Sequence, residues 1–336
     1  MTILVTGAAG FIGAAVSRHL LQRGDQVIGV DCVNDYYDPA LKEARLARLS
    51  GQKGFSFQRI DIADRAAMEA LASSRGGEID GIVHLAAQAG VRYSLVNPFA
   101  YVTSNLVGHM TVLELARHLP SLRHLVYASS SSVYGGNSKV PFSIEDRVDD
   151  PLSLYAATKR ADELMAFNYS HLFGLPLTGL RFFTVYGPWG RPDLSYYIFT
   201  QAILTGKPIT VFNGGNMKRD FTYVDDVVQG VLAALDRPPK RGESRLATGT
   251  IAFEPPHRLY NIGNCRSEPL MRFIEVIERA CGAKATIEFA PLQPGDVLET
   301  FADIEASTRD LGFVPRTAID DGIPRFVAWF RGYHRL

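Results

Sequence analysis

The sequence predicts an α/β protein built on a doubly wound parallel sheet, with a smaller α/β lobe at its C-terminal side. Three observations carry that prediction. Short β-branched apolar runs recur over the first 181 residues and alternate with longer segments of helical spacing. The first of these runs ends in a glycine turn that opens directly into an amphipathic helix. Beyond residue 181 the alternation loses its regularity and loops rich in glycine and proline appear. Strands that alternate with helices pair in parallel, and such sheets collect ligands at the carboxyl ends of their strands.

The elements follow in order. Thr2 to Thr6 is an apolar strand, and Gly7-Ala-Ala-Gly10-Phe11-Ile12-Gly13 turns into a helix from Ala14 to Arg23, stopped by Gly24. In this strand–turn–helix setting Gly7 permits the tight turn, Gly10 lets the backbone approach a pyrophosphate, and Gly13 allows close helix-to-strand packing. The next strand, Gln26 to Val30, delivers Asp31, 18 residues beyond Gly13. An acidic side chain there bonds the adenosine ribose hydroxyls and repels a 2′-phosphate, which selects NAD over NADP. A third strand, Phe55 to Ile62, ends in Asp61-Ile62, placed to flank an adenine. A fourth, Asp80 to Ala87, carries small residues in Leu85-Ala86-Ala87 where a backbone must come near the cofactor. A long helix from about Pro98 to His118 precedes a fifth strand, Arg123 to Ser129, which opens into four consecutive serines, Ser129 to Ser132. A helix from Tyr155 to Phe173 and a strand from Leu175 to Arg181 complete the regular repeat. The loop Tyr186 to Asp193 then leaves the sheet. Asp236 to Arg258 is expected to be an exposed loop, Leu259 to Gly263 a strand, Glu268 to Cys281 a helix, and Ile319 to about Phe330 a terminal amphipathic helix.

Composition excludes several classes. With 35 basic and 35 acidic residues the formal net charge is zero, so no global field favours nucleic acid or an anionic membrane. No stretch reaches the roughly 18 consecutive apolar residues of a membrane span. Three cysteines, Cys32, Cys265 and Cys281, are odd in number and lack metal-ligand spacing, so neither a disulfide framework nor a metal is expected. Met1 leads straight into a strand rather than a signal peptide, and a cytoplasmic location is expected.

The chemistry centres on Ser153-Leu-Tyr155-Ala-Ala-Thr-Lys159. Residues four apart share one face of a helix, so the lysine ammonium can approach the tyrosine. A fixed positive charge favours a phenolate, and a phenolate is a candidate base.

Thr6-Gly-x-x-Gly-x-x-Gly13, Asp31, Asp61-Ile62, the serine loop and Tyr155-x-x-x-Lys159 occur in this order and together resemble the extended short-chain dehydrogenase/reductase superfamily, in its nucleotide-sugar branch. The likeness covers nearly the whole chain. It implies an NAD-binding Rossmann domain over 1–181, with later segments near 222–238 and 258–264 packing back on it, and a substrate lobe for a UDP-sugar over 182–336. Within the branch, Asn34-Asp-Tyr-Tyr-Asp38, Ala86 to Ser94, Arg181 to Asp193 and Gln293 to Val297 look like the UDP-glucuronate 4-epimerases, although Asp193-Leu-Ser195 departs from the family's usual Asp-Met-Ala. The resemblance implies Ser130 on the sugar hydroxyl, Tyr155 as base, Lys159 on the nicotinamide ribose, and Asn105 near the catalytic face. It also implies Arg219 and Asp296 on the diphosphate and ribose, and a homodimer through the Pro98 and Tyr155 helices.

Ser131 and Ser132 stand where related dehydratases and decarboxylases carry acidic residues, and a serine has no suitable pKa for acid–base work at C5 or C6. A 4-keto uronic acid loses carbon dioxide readily unless its carboxylate is held. Arg191 is the expected clamp, with Thr184 and Ser132 as neutral donors and Arg92 in reserve. The expected function is NAD-dependent 4-epimerisation of UDP-glucuronate to UDP-galacturonate without net redox change. The alternatives are a UDP-glucose/galactose 4-epimerase, a UDP-glucuronate decarboxylase and a redox-inactive dinucleotide sensor.

Overall fold

The computed structural model describes residues 1–242, 254–293 and 296–336. Residues 243–253 of the expected Asp236 to Arg258 loop, and Pro294 and Gly295 of the Gln293 to Val297 motif, lie outside the described residues.

Six strands of the first half, β1 (Thr2–Thr6), β2 (Gln26–Asp31), β3 (Phe55–Arg59), β4 (Gly81–His84), β5 (His124–Ser130) and β6 (Leu177–Phe182), form a parallel sheet with a later strand. After β7 (Thr184–Tyr186), β8 (Ile209–Phe212) and β9 (Lys218–Tyr223), the chain returns as β10 (His257–Ile262), which pairs in parallel with β6. The order across the seven strands is β10-β6-β5-β4-β1-β2-β3. The winding reverses between β1 and β4, and a crevice opens at their carboxyl ends. Both faces of the sheet are covered. On β1, Ile3 and Val5 join one core cluster while Leu4 joins the other, as alternation along a strand requires.

The helices are α1 (Phe11–Gln22), α2 (Pro39–Ser50), α3 (Arg65–Arg75), α4 (Pro98–Tyr101), α5 (Gly108–His118), α6 (Leu154–Phe173), α7 (Ser195–Leu204), α8 (Val224–Leu235), α9 (Leu270–Cys281), α10 (Glu305–Leu311) and α11 (Ile319–His334). Helix α8 packs on α1, and its Val227, Val228 and Val231 share a core with Val5 and Val16. A three-stranded sheet in the order β11 (Ser267–Pro269), β9, β7 and a parallel pair of β12 (Ile287–Ala290) with β8 build the second lobe. That lobe shares the α1-side core through stacked Phe221 and Phe273, whose ring centroids lie 3.8 Å apart. Among the described residues no helix is long and apolar enough to cross a membrane.

Several element boundaries differ from the sequence expectation, among them the start of β10 at His257, inside the expected Asp236 to Arg258 loop. Helix α1 starts at Phe11, because the turn passes straight into the first helical residue. Strands β3 and β4 stop at Arg59 and His84, so Asp61-Ile62 and Leu85-Ala86-Ala87 lie in loops beyond the strand ends. The Pro98 to His118 helix is continuous in direction, but Val102–Val107 is wound as a π-helix between α4 and α5.

Candidate active site

A cleft with a cavity volume of about 470 Å³ runs along the carboxyl ends of the parallel strands, a size suited to a cofactor and a small ligand. At one end lies the glycine turn. Gly7 has φ +73°, a conformation that excludes most side chains, and its N–H donates to Val30 O at 2.7 Å. A Cβ on Gly13 would stand 2.0 Å from Gly7 O, so the α1 backbone touches the turn. No side chain caps the first turn of α1, which leaves its amides and the positive end of its dipole for an anion. Gly10, Phe11, Ile12 and Gly13 line the cleft there. Asp31 is fixed by N–H donors from Ala9 (3.0 Å) and Val33 (2.8 Å), and each carboxylate oxygen keeps a lone pair for a ligand. Asp61, Ile62, Leu85, Ala86 and Ala87 complete this wall. The cradle fits a dinucleotide: a tight turn, a bare helix N-terminus and an acidic side chain on the next strand.

Tyr155 and Lys159 enter the middle of the cleft from α6. The Ser153 Oγ accepts from the Ala156 N–H at 3.1 Å and so caps the helix, placing Tyr155 in its first turn. The Tyr155 ring packs edge-on against Tyr101, centroids 6.0 Å apart. Lys159 is buried and donates to Ala128 O and to Asp162 Oδ2, both at 2.9 Å. Burial pulls its ammonium down, but the charges of Asp162 and Tyr155 outweigh that and leave its pKa raised. Burial in turn pushes Asp162 up to about 6, so the pair is ionic at neutral pH. Ser130 Oγ accepts from the Ser132 N–H at 3.1 Å, which leaves its O–H free to donate into the cleft beside Ser131 and Ser132.

Arg191 and Thr184 also line the cleft. The Arg191 fork differs from the sequence expectation: Nε and Nη2 already donate to Asp193, at 3.0 and 2.5 Å. The Tyr36 hydroxyl donates to the same carboxylate at 3.1 Å. Burial opposes the charge on Asp193, but Arg191 and Tyr36 hold it below the usual carboxylate range. An open bidentate grip is therefore confined to the other edge of the guanidinium, through Nη1 and the second Nη2 proton.

At the far end Arg219 and Asp296 line the cleft, and Arg92 donates to Asp296 at 3.2 Å while stacking over Phe212. Arg92 differs from its expected place as a reserve clamp: it stands outside the lining itself and pairs with Asp296. Asn105 also lies behind the wall. Its amide donates to Gln88 O and Thr158 Oγ1 and its carbonyl accepts from the Gln88 N–H, so it shapes the wall rather than touching a ligand. The sequence reading missed Asp162, Asp193 and Tyr36. Only Asp162 carried a local signal, three residues beyond Lys159 on the same helical face.

The model of the NAD dependent epimerase/dehydratase family matches residues 3–263. Protein CapI of Staphylococcus aureus is 48% identical, covering 100% of both chains. The probable UDP-glucuronate 4-epimerase of Rhizobium meliloti (strain 1021) is 45% identical, covering 100% of this chain and 98% of its own. Among solved structures, the UDP-glucuronic acid 4-epimerase of Bacillus cereus in complex with UDP-glucuronic acid and NAD is 33% identical. It superposes with a TM-score of 0.87 over 99% of this chain and 100% of its own.

Proposed function

The chain belongs to the NAD dependent epimerase/dehydratase family, and from that premise we infer that it is an isomerase that epimerises UDP-glucuronate at C4 to UDP-galacturonate. The reaction is NAD-dependent, passes through a transient 4-keto sugar and leaves no net redox change. The observation that carries this reading is one cleft holding a dinucleotide cradle, a Tyr155–Lys159 pair and a cation on the substrate side.

NAD, held by Gly7, Gly10, Phe11, Ile12, Gly13, Asp31, Asp61, Ile62 and Leu85 to Ala87, supplies the hydride acceptor that becomes the donor. Tyr155 takes the proton of the C4 hydroxyl and returns it after the sugar has turned over. Lys159, charged and anchored by Asp162, keeps a third N–H donor for the cleft and favours the phenolate. Ser130 donates its free O–H to the same sugar oxygen. Ser131 and Ser132 offer neutral donors and no acid–base partner for elimination. Arg191 takes the uronate carboxylate on its free edge with Thr184 beside it, holding the rotamer that keeps the carboxylate bond out of line with the carbonyl π system. Arg219 and Asp296 receive the diphosphate and ribose.

We further propose that 1–181 forms the NAD-binding domain, joined by 222–238 and 258–264, and that 182–336 is mainly the UDP-sugar lobe. The pairing of β10 with β6 and the packing of α8 on α1 support that division. A homodimer is proposed through α4 and α6. Leu95, Val96 and Phe99 are 69, 77 and 78% exposed, Leu164 on α6 is 54% exposed, and α4 packs on α6, an apolar surface that suits a second copy. Three free cysteines agree with a cytoplasmic location.

The test is proton NMR of purified protein incubated with UDP-glucuronate. UDP-galacturonate is the expected product, UDP-xylose would reassign the enzyme as a decarboxylase, and no turnover would reduce it to a binding protein. UDP-glucose is the control, because Asp193 partly neutralises Arg191 and that pairing is the one feature on the side of a neutral sugar.

A further inference from the structure

The Asn34-Asp-Tyr-Tyr-Asp38 turn and the helix that follows it have no part in the chemistry above, yet they hold the loop that carries Arg191. Arg45 on α2 is 1% exposed, and all its hydrogen bonds go to neutral acceptors. Nε and Nη2 donate to Trp189 O at 3.0 and 2.7 Å, and Nη2 also reaches Gly190 O at 3.1 Å. Nη1 donates to Ala9 O at 3.1 Å and to the Tyr37 hydroxyl at 2.6 Å. One planar fork thus joins the glycine turn to the two residues before Arg191. The loop it holds has an unusual shape: Trp189 has φ +66°, and a Cβ on Gly190 would stand 2.1 Å from the Tyr196 hydroxyl, which accepts the Arg191 N–H at 3.2 Å. One turn further along α2, Arg48 covers the Trp189 ring at 4.6 Å. From the turn itself, Tyr36 fixes Asp193 and so the guanidinium plane of Arg191.

On the cofactor side, the Ala9 residue whose carbonyl meets Arg45 also gives its N–H to Asp31. The peptide carrying that carbonyl continues into Gly10. A buried guanidinium without a counter-charge is costly, and a rigid fork bonded to backbone carbonyls of two loops is what the fold receives in return.

We propose that Arg45, assisted by Tyr36, is a positioning residue that sets Arg191 for the substrate carboxylate and ties that setting to the cofactor turn. The proposal rests on the reading of Arg191 as the carboxylate-holding group. It makes NAD at Gly7–Gly13 and a uronate at Arg191 thermodynamically coupled, each favouring the other through one shared side chain.

Arg45→Met, Arg45→Lys and Tyr36→Phe, each in a Tyr155→Phe background to stop turnover, test this on NAD-loaded protein by calorimetry with UDP and with UDP-glucuronate. Arg45→Met is expected to weaken UDP-glucuronate by about tenfold or more while UDP stays within about twofold. Arg45→Lys, which can still bond a carbonyl, should recover part of the loss, and Tyr36→Phe should give a smaller loss of the same kind. With Tyr155 intact, Arg45→Met should also release more carbon dioxide per epimerisation. A merely structural role would shift UDP and UDP-glucuronate together, and that result overturns the proposal. If Arg45→Met does not fold, Arg45→Lys and Tyr36→Phe carry the same comparison, and unchanged uronate preference in both overturns it. Arg191→Ala run alongside separates the two claims. If it leaves the uronate preference intact, the reading of Arg191 falls and the Arg45 proposal with it. If it abolishes the preference and the Arg45 variants do not, the Arg45 proposal falls alone.

Discussion

Lys159 commits two of its three N–H donors to Ala128 O and Asp162, so its position is set by the protein before any ligand arrives. The third faces a cleft in which Tyr155 is half-buried and edge-on to Tyr101. Tyr155→Phe removes the proposed proton acceptor and little else, since the ring and its packing remain. Turnover should fall by about 10²- to 10⁴-fold with bound NAD retained, read from product formation and from cofactor absorbance in the purified protein. Activity within a few fold of the parent would remove Tyr155 from the mechanism. The tyrosine, the lysine and the glycines were legible because their geometry is local: helical spacing and turn sterics place them. The Arg191–Asp193–Tyr36 set was not, because Tyr36 meets Asp193 across 157 positions of sequence.

Helix α6 carries the proposed base Tyr155 and its partner Lys159, and Ser153 caps its start. Ser153→Ala strips the cap from the turn that holds Tyr155 and should cost about 1 kcal/mol. In a chain of this size that is a fall in Tm of about 2 °C, which calorimetry can read. A larger loss in kcat than in substrate affinity should accompany it, because the cap aims the base rather than the binding groups. Equal Tm and kcat in the variant would mean that the cap is redundant. The neighbouring helical run carries the exposed Phe99, and Asn105 in its π-wound turn at Val102–Val107 bonds Gln88 and Thr158. Helical periodicity alone could not reveal that turn, since one extra residue per turn leaves composition unchanged. Phe99→Glu combined with Leu164→Glu should convert a dimer to a monomer in sedimentation analysis; an unchanged mass would place the subunit contact elsewhere or deny it.

Across the whole molecule, four histidines among the described residues are buried in the core, His84, His109, His124 and His257. Burial lowers them all, His109 to about 3 and His124 and His257 to about 4. His124 is held between Leu235 O and Thr178 Oγ1, and His257 bonds the Tyr127 hydroxyl. A histidine depressed in the fold contributes stability above its unfolded pKa of about 6.5 and loses it as pH falls toward the folded value. Burial acts oppositely on Asp162 and Asp220, both raised to about 6, which take up protons in the fold between about pH 6 and 4. The four histidines outnumber the two carboxylates, so stability falls as pH drops from about 6.5 toward 5. Urea denaturation at pH 7.5, 6.5 and 5.5 should therefore give midpoints that fall steadily below pH 6.5. A flat profile would mean that these histidines accept protons without unfolding the core.

The sequence by itself determined the parallel sheet, the dinucleotide turn, Asp31 and the Tyr155–Lys159 face, since each follows from strand, turn or helix geometry within a few residues. Family resemblance supplied Ser130, Arg219 and Asp296 as candidates, and the chemistry of a 4-keto uronate added Arg191. Tertiary structure alone decided how they stand. Arg191 has one edge free because Asp193 holds the other, Arg92 pairs with Asp296, Asn105 lies behind the wall, and Arg45 braces two loops that are 180 positions apart in chain order at Ala9 and Trp189. The physical reason is the same in each case: a polar side chain in a closed interior takes the nearest partner that folding brings to it, and that partner is set by packing of distant segments rather than by spacing along the chain.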